Sequence, residues 1–334
     1  MDVLSEVLKV VKLDGAFYYN GEFSSPWSVR TPKSVRLAPY VGPDSGHIII
    51  FHLLVEGRAH ARLDDGAPID LAAGDIVIFP HGDPHILENG RTKTVDNDKE
   101  LEKIFSQGLT VCRLGGGGEM TKFVCGYMVC EPRLSEVFLA GLPPLFKVSV
   151  REDAAGRWLE NSIRFSVGEV YASRAGSEAV LAKLSEALFV ETLRRYIGRL
   201  PENQTGWLAG ARDPEVGRAL ALMHREPAHP WTIAELAKEV GTSRSVLAER
   251  FRHFLNEPPM TYLTRWRLQL GAQMLASTSH SAAQIAAEVG YESEAAFNRA
   301  FKREFGLPPA RFRTEGKANA QRSKAENGAA LKSA

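Results

Sequence analysis

One pattern of short helix, glycine turn and second helix occurs twice in the C-terminal part of the chain, and it constrains the fold more than any other feature. The first copy lies in residues 231–255 and the second in residues 281–305. Each copy has a glycine at the turn, Gly241 or Gly290, and a serine that can cap the second helix. Glycine tolerates the positive φ of such a turn, and serine favours helix N-caps. The pattern predicts two helix–turn–helix units in an all-α domain.

The second helix of each copy is predicted to bury an apolar face and to expose the opposite face. The outward residues are Arg244, Ser245, Ala248, Glu249 and Arg252 in the first copy, and Glu294, Ala295, Asn298, Arg299 and Lys302 in the second. Between the copies, residues 258–275 are predicted to form one long helix. Two outward helices on such a strut fit successive major grooves of DNA, about 34 Å apart. A helical protein-interaction module is the alternative.

The N-terminal half is predicted to be a β-structure. From Phe17 to Cys130 the sequence consists of short apolar runs, rich in β-branched and aromatic residues, which Gly, Pro and Asp interrupt. Runs of this length favour an antiparallel sandwich or barrel.

A helix between the two halves is predicted from Gly176, where apolar residues begin to recur with a period of about 3.6. Leu181, Leu184 and Leu188 share one face of this helix. Two interpretations stay open: the leucines pack on the barrel of their own subunit, or they form the seam of a dimer, since this spacing pairs helices. Residues 201–214, rich in Pro, Gly and polar side chains, are typical of a linker.

Composition excludes several classes of protein. Lysine and arginine total 41 against 40 aspartate and glutamate, so the net charge is +1 and any contact with nucleic acid depends on local placement of charge. Three cysteines, Cys112, Cys125 and Cys130, are too few for a disulfide framework. The sequence also contains no apolar run of the roughly 18 residues that a membrane crossing needs. We therefore expect a cytoplasmic protein that makes no use of a membrane.

Three segments within residues 213–313 carry a family resemblance: TIAELAKEVGTS, PPMTYLTRWRLQLGAQML and GYESEAAFNRAFKREFGLPPARFR. They resemble the DNA-binding domain of the AraC/XylS transcription regulators. The resemblance implies that both outward helices contact double-stranded promoter DNA. It implies base contacts by Ser245, Ala248, Glu249, Glu294, Ala295, Asn298 and Arg299, and we assign phosphate contacts to Arg244, Arg252, Arg265, Arg267 and Lys302.

The expected base contacts follow from side-chain chemistry. Arg299 is the expected reader of guanine, whereas Ala248 and Ala295 offer only apolar contact, as to a thymine methyl group. Two interpretations of Glu249 stay open: it accepts from a cytosine amino group, or it pairs with a neighbouring arginine. Residues 213–313 contain thirteen Lys and Arg and eleven Asp and Glu, so phosphate attraction has to be concentrated on one face and we expect moderate salt sensitivity.

Residues 74–89, GDIVIFPHGDPHILEN, are predicted to form a turn, a buried strand and a second turn that aims His85 into the barrel. This spacing of Gly, Pro, Gly, His and Asn resembles the second motif of the cupin superfamily, and most closely the cupin-like sensor domain of some AraC-type regulators. The first cupin motif is degraded. Where a catalytic cupin has His-x-His, this chain has His52-Leu53-Leu54, so one ligand of the usual metal site is missing.

The polar residues of the predicted barrel leave three interpretations open. His52, His81, His85 and Cys125 hold a divalent metal ion, contact an effector directly, or are structural. In the structural case His81 and His85 bond the turn, and His52 is a neutral core residue. The cysteines are either small apolar filler or a metal or redox group.

Together these patterns predict an α+β chain of two main domains. The predicted divisions are a cupin-like antiparallel β-barrel that senses an effector (1–175), a dimerisation helix and linker (176–212), an all-α tandem helix–turn–helix domain (213–314) and a disordered tail (315–334). The predicted function is a non-enzymatic transcription regulator whose small-molecule effector controls promoter binding, with a homodimer and RNA polymerase as expected partners. The alternatives are a cupin enzyme with a DNA-binding tail, and a sensor of a metal ion or of thiol oxidation.

Overall fold

Two units make up the chain in the computed structural model, which describes residues 3–5, 13–36, 47–97, 101, 103, 111–130, 139, 141–172, 174–201 and 203–315. One unit contains the described β-strands and two helices, and the other contains the helices that follow residue 200. The predicted α+β organisation, β-rich first and helical second, is confirmed. The predicted tail lies outside the described residues except for Glu315.

The β-unit is a pair of sheets. Its strands are β1 (Leu13–Ser24), β2 (Trp27–Thr31), β3 (His47–Glu56), β4 (Arg58–Leu63), β5 (Ile69–Ala72), β6 (Asp75–Phe79), β7 (His85–Asn89), β8 (Val95–Asp96), β9 (Val111–Gly115), β10 (Met120–Cys130) and β11 (Phe146–Ser149). The strand order is β11-β6-β3-β10-β1-β9 in one sheet and β5-β4-β7-β2-β8 in the other. The pairs β1–β9 and β2–β8 are parallel and the others are antiparallel. The β-structure therefore extends past both ends of the predicted segment 17–130.

The central strand β3 is buried on both faces, which explains its nearly continuous apolar sequence. Ile50 and Leu54 belong to the core between the sheets. Phe51, on the opposite face of the same strand, lines an apolar crevice beneath the helices. A strand covered on both sides loses the apolar–polar alternation of a half-exposed strand.

Two helices cover the outer face of the larger sheet: α1 (Ala154–Ala172), which the sequence analysis did not predict, and α2 (Ser177–Gly198). Leu188 and Phe189 of α2 face the sheet. They line an apolar crevice between the helices and the sheet, together with Phe51, Ile76, Ile78, Met128, Ile163 and Thr192. Leu181 is also buried, and Leu184 is half-buried. The apolar stripe thus packs within its own subunit, and Leu181 and Leu188 are not available for the alternative dimer seam.

The helical unit includes the helices α3 (Trp207–Arg212), α4 (Pro214–Arg225), α5 (Ile233–Val240), α6 (Arg244–Leu255), α7 (Pro259–Ser277), α8 (Ala282–Glu288) and α9 (Glu294–Phe305). Helix α3 lies inside the predicted linker, residues 201–214, and its Trp207 is buried. The predicted connecting segment 176–212 is therefore divided, because α2 belongs to the β-unit and α3 to the helical unit.

Helix α7 takes part in two cores, one at each end. Near its start, Trp266 stacks on His224 of α4 with ring centroids 4.1 Å apart. Toward its end, Leu268 and Leu275 pack with α8 and α9, including Ile285 and Phe297. One helix thus connects the first helix–turn–helix unit to the second, and the change from one core to the other falls next to Arg267.

Candidate nucleic-acid interface and barrel site

The first helix–turn–helix unit follows from local signals in the sequence. The Thr232 hydroxyl oxygen accepts from Glu235 N at 3.1 Å and caps α5. Gly241 ends α5 with φ of 79°. Ser243 Oγ then accepts from Val246 N at 3.2 Å and caps α6. These caps satisfy backbone N–H groups that a helix start leaves without partners.

The second unit repeats the same construction. Ser281 and Gln284 form a capping box at the start of α8, with bonds of 3.2 Å and 2.8 Å. Gly290 has φ of 88° in the turn, and Ser293 Oγ accepts from Ala296 N at 3.2 Å at the start of α9. Because α6 and α9 both have 12 residues, each position in α6 has a counterpart in α9.

The inner faces of α6 and α9 hold these helices on their units. Leu247 and Phe251 of α6 and Phe297 and Phe301 of α9 occupy matching positions, and each is 0% exposed. Helical periodicity then fixes which residues lie on the outer faces. The buried anchors therefore present both outer faces in the same way.

The predicted base-reading residues lie on those outer faces. Ser245 and Glu249 on α6 and Glu294, Ala295 and Arg299 on α9 are exposed, whereas Ala248 and Asn298 are half-buried. The exposed cations Arg244, Arg252 and Lys302 lie on the same helices. In the part of the chain that the structure describes, Glu249 makes no ion pair, so its pairing with a neighbouring arginine gains no support and its contact with a base stays a prediction.

Two arginines of α7 bond to other parts of the protein. Arg265 forms an ion pair with Glu257. Arg267 is half-buried, and its Nε and Nη2 donate to the carbonyl oxygens of Pro227 and His229 at 2.6 Å and 2.7 Å. Part of each guanidinium is therefore bonded within the protein, and phosphate contacts by these two residues stay a prediction.

Arg250, which no sequence motif singled out, holds α6 against the start of α4. Its guanidinium donates to the buried carboxylate of Asp213 and lies 3.3 Å from Glu215 Oε2. Asp213 Oδ1 also accepts from Val216 N at 2.9 Å and so caps α4. Arg250 thus ties α6 to the start of α4. The sequence alone does not distinguish this structural arginine from Arg252, the exposed arginine on the same helix.

A buried chain of hydrogen bonds joins α3, α4 and α7. Trp207 Nε1 donates to Tyr262 Oη at 2.8 Å, and the tyrosine hydroxyl is hydrogen-bonded to His224 Nε2 at 2.7 Å. Burial lowers the pKa of His224 to about 3, which keeps it neutral and able to accept. This arrangement makes α3 part of the helical unit.

His52 on β3 and His85 on β7 meet between the two sheets of the β-unit. Their Nε2 atoms are 2.9 Å apart, and His85 Nδ1 lies 2.9 Å from the carbonyl oxygen of Asp83. A carbonyl only accepts, so His85 carries its proton on Nδ1 and its Nε2 accepts from His52 Nε2. His52 Nδ1 is then a buried acceptor, and it has no partner within the described residues.

Burial keeps both of these histidines neutral. It lowers the pKa of His85 to about 4 and that of His52 well below its ordinary value, where the neighbouring His85 lowers it further. The His85 ring stacks on Phe79 with centroids 3.6 Å apart and an interplanar angle of 10°. The pair is therefore a neutral polar element in an apolar interior.

The other predicted barrel residues do not complete a metal site. His81 Nε2 lies 3.0 Å from Leu142 O, away from the histidine pair. Cys125 is paired with His52 across β3 and β10, but burial raises the pKa of its thiol, which keeps it protonated. Among the described residues no three His, Cys, Asp or Glu side chains gather as metal ligands. A mutually bonded histidine pair without a third donor does not fit a divalent metal ion.

Comparison with known proteins decides the family. A cupin family model matches residues 2–198, and a helix-turn-helix domain model matches residues 236–315. An AraC-like transcription regulator of Streptomyces antibioticus is 34% identical over 81% of this chain and 88% of its own length. Another, of Streptomyces lividans, is 31% identical over 94% of this chain and 98% of its own length. The chain belongs to the AraC-like transcription regulators.

As an AraC-like regulator, the protein is a DNA-binding transcription regulator with a cupin domain, and its relatives are regulators rather than enzymes. The alternative of a cupin enzyme therefore has no support. Among solved structures, an AraC-type regulator from Chromobacterium violaceum is 30% identical over 32% of this chain and 96% of that chain, with a TM-score of 0.31. Within the described residues, every helix is too short or too polar to cross a membrane.

Proposed function

We propose that this regulator binds one DNA duplex with both helix–turn–helix units, so that α6 and α9 lie in successive major grooves. The observation that carries the proposal is the match between these helices: equal length, the same capped start, and fully buried anchor residues at the same positions. Both helices are joined to the shared helix α7 through packed cores. Such a pair suits a bipartite operator whose boxes are one helical turn apart.

Within this proposal, the outer faces divide into base readers and phosphate contacts. Arg299 donates to guanine, because arginine is the side chain that contacts this base most often. Ser245, Ala248, Glu249, Glu294, Ala295 and Asn298 complete the proposed base-reading set. Arg244, Arg252 and Lys302 contact phosphate, since all three are exposed beside those faces.

Base preference tests the proposal. Operators are first selected from random duplexes with the full chain, and affinities for single-base variants are then measured for Arg299→Ala. We expect a loss of about 1–3 kcal/mol and relaxed preference at one guanine. The matched control is Arg303→Ala, an exposed cation on the same helix outside the proposed reading face. An unchanged preference profile in Arg299→Ala would reject Arg299 as a reader.

We also propose that the β-unit senses a small molecule and thereby controls DNA binding. The support is His52 Nδ1, an acceptor buried without a partner among the described residues. An unpaired buried acceptor costs free energy that a bound hydrogen-bond donor would recover. A screen of small molecules for thermal stabilisation tests this: hits should stabilise the wild-type chain, change its DNA affinity and lose both effects in His52→Leu. Hits that act equally on His52→Leu would contradict this site.

For the homodimer we propose α1 as the contact surface. Trp158 and Phe165 are 46% and 50% exposed, and their spacing of seven residues places them on one helix face. Replacing both with serine should shift the sedimenting species from dimer to monomer. Val35→Ser removes an apolar side chain that is 66% exposed elsewhere and should leave the dimer intact. Contact with RNA polymerase stays a prediction without assigned residues.

A further inference from the structure

The loop between α4 and α5, residues 226–231, is fixed by its own hydrogen bonds. Trp231 Nε1 donates to the carbonyl oxygen of Glu226 at 3.0 Å, and the backbone N–H of His229 donates to the same oxygen at 3.1 Å. The Trp231 side chain is buried and its ring lies 4.3 Å from that of His229. This loop belongs to the first helix–turn–helix unit, because it leads directly into α5.

Arg267 joins this loop to the middle of α7. Its two bonds to Pro227 O and His229 O span about forty residues of sequence, and the half-buried guanidinium has backbone carbonyls as partners instead of a carboxylate. Arg267 also lies next to the point where α7 leaves the first core and enters the second. The bonds therefore cross the joint at which one unit could turn relative to the other.

The turn of the second unit touches the same loop. A Cβ atom added at Gly290 would lie 2.7 Å from Ala228 Cα and 3.0 Å from Arg267 Cζ. The equivalent glycine of the first unit, Gly241, would place a Cβ in open space. The absence of a side chain at Gly290 thus serves a close approach between the units as well as the positive φ of the turn.

We propose that Arg267, Gly290 and the 226–231 loop form a clamp that fixes the distance and rotation between α6 and α9, and so determines which spacing of operator boxes the regulator accepts. The inference rests on the proposed binding of both helices to one duplex. Helix α7 provides one connection between the two helix–turn–helix units. The clamp adds a second connection beside it. Arg267 is thus a positioning residue for spacing specificity.

Box spacing provides a readout that stability alone does not change. Adding one base pair between the boxes moves the second box by about 3.4 Å and rotates it by about 35°. A rigid pair of helices cannot follow this change and loses the contacts of one box. For the full wild-type chain we expect about a 100-fold loss of affinity per added or removed base pair, the scale of a few lost base contacts.

The test measures affinities of the full chain for the selected operator and for versions with one base pair added or removed. Arg267→Met keeps the aliphatic stem but deletes the donors, and we expect its spacing penalty to fall to about tenfold or less. The matched control is Arg313→Met. Arg313 also donates to two backbone carbonyls, but these belong to Leu275 near the end of α7 and to His280 in the turn that leads to α8. Its spacing penalty should remain that of the wild type.

A second pair of variants does not depend on Arg267. Gly290→Ala and Gly241→Ala both place a Cβ at positive φ, but only the former meets the loop. We expect a relaxed spacing penalty in Gly290→Ala and the wild-type penalty in Gly241→Ala, with thermal unfolding checked for all variants. Equal spacing penalties within both pairs would overturn the clamp. A wild-type chain indifferent to the second box would instead overturn the proposed function itself.

Discussion

The neutral histidine pair in the barrel predicts that acid destabilises the β-unit. His52 and His85 are 2% and 0% exposed and bonded to each other, so neither accepts a proton readily in the folded state. In the unfolded chain both have an ordinary pKa near 6.5. The unfolded state therefore binds more protons below pH 6.5, and stability falls as the pH decreases through that value toward the folded pKa, about 4 for His85.

The size of the effect follows from these values. At about pH 5 an unfolded histidine is almost fully protonated and folded His85 is about one-tenth protonated, so His85 costs about 2 kcal/mol relative to pH 7.5. The pKa of His52 is lowered well below its ordinary value, so this residue adds to the loss in the same direction. The pair should therefore remove more than the roughly 2 kcal/mol of His85 alone, which is a substantial part of the stability of a typical domain.

Denaturant unfolding of the full chain at both pH values measures this loss. The comparison protein is the double variant His52→Leu/His85→Phe, which replaces both hydrogen-bond partners with apolar groups of similar size. Its loss between pH 7.5 and 5 should be smaller than that of the wild type by more than about 2 kcal/mol. His224 in the other unit titrates equally in both proteins and cancels in this difference.

Equal losses in the wild type and the double variant would refute the reasoning, because they would mean that the pair gains its protons without cost in the folded state.

Three further substitutions test packing and hydrogen bonds. Leu188→Asp should unfold the β-unit by placing a charge at a position that is 4% exposed, and a folded monomer in sedimentation would contradict that assignment. Arg250→Met should cost about 1.5–3 kcal/mol in thermal unfolding because it leaves the carboxylate of Asp213 unpaired, and an unchanged midpoint would contradict the contact. Trp207→Phe deletes one donor to Tyr262 and should cost about 1 kcal/mol; no loss in denaturant unfolding would argue against that bond.

The helix–turn–helix units were predictable because their signals are local. Ser243 and Ser293 cap the helices that follow them, and Gly241 and Gly290 adopt the positive φ that their turns need. Once a helix begins at a known residue, its period determines which side chains lie outside. The exposure of Arg299 was therefore visible in the sequence, although the base that it contacts was not.

Contacts between distant segments were not predictable in the same way. Periodicity places Arg267 on the surface of α7. Its partners Pro227 and His229 lie about forty residues earlier, and no local sequence pattern indicates the contact. His52 and His85 are 33 positions apart, and their meeting depends on strand order. For α2, periodicity showed an apolar stripe but could not tell whether a sheet or a second copy covers it.

Helices α1 and α3 were missed for different reasons. Helix α1 has several small and polar residues, and its exposed face carries Trp158 and Phe165, so its apolar pattern is blurred. Helix α3 has only six residues between Gly206 and Asp213, which reads as a linker. Its place in the helical unit depends on the bond of Trp207 to a side chain on α7.

Mapping the major-groove guanines and the backbone that the full chain protects on its selected operator tests the central claim most directly. The account predicts two protected patches on one face of the duplex, with centres about one helical turn, 10–10.5 base pairs, apart. Exposed-face variants of α6 should remove one patch and those of α9 the other. A single patch, or two patches on opposite faces of the duplex, would contradict binding by both helices.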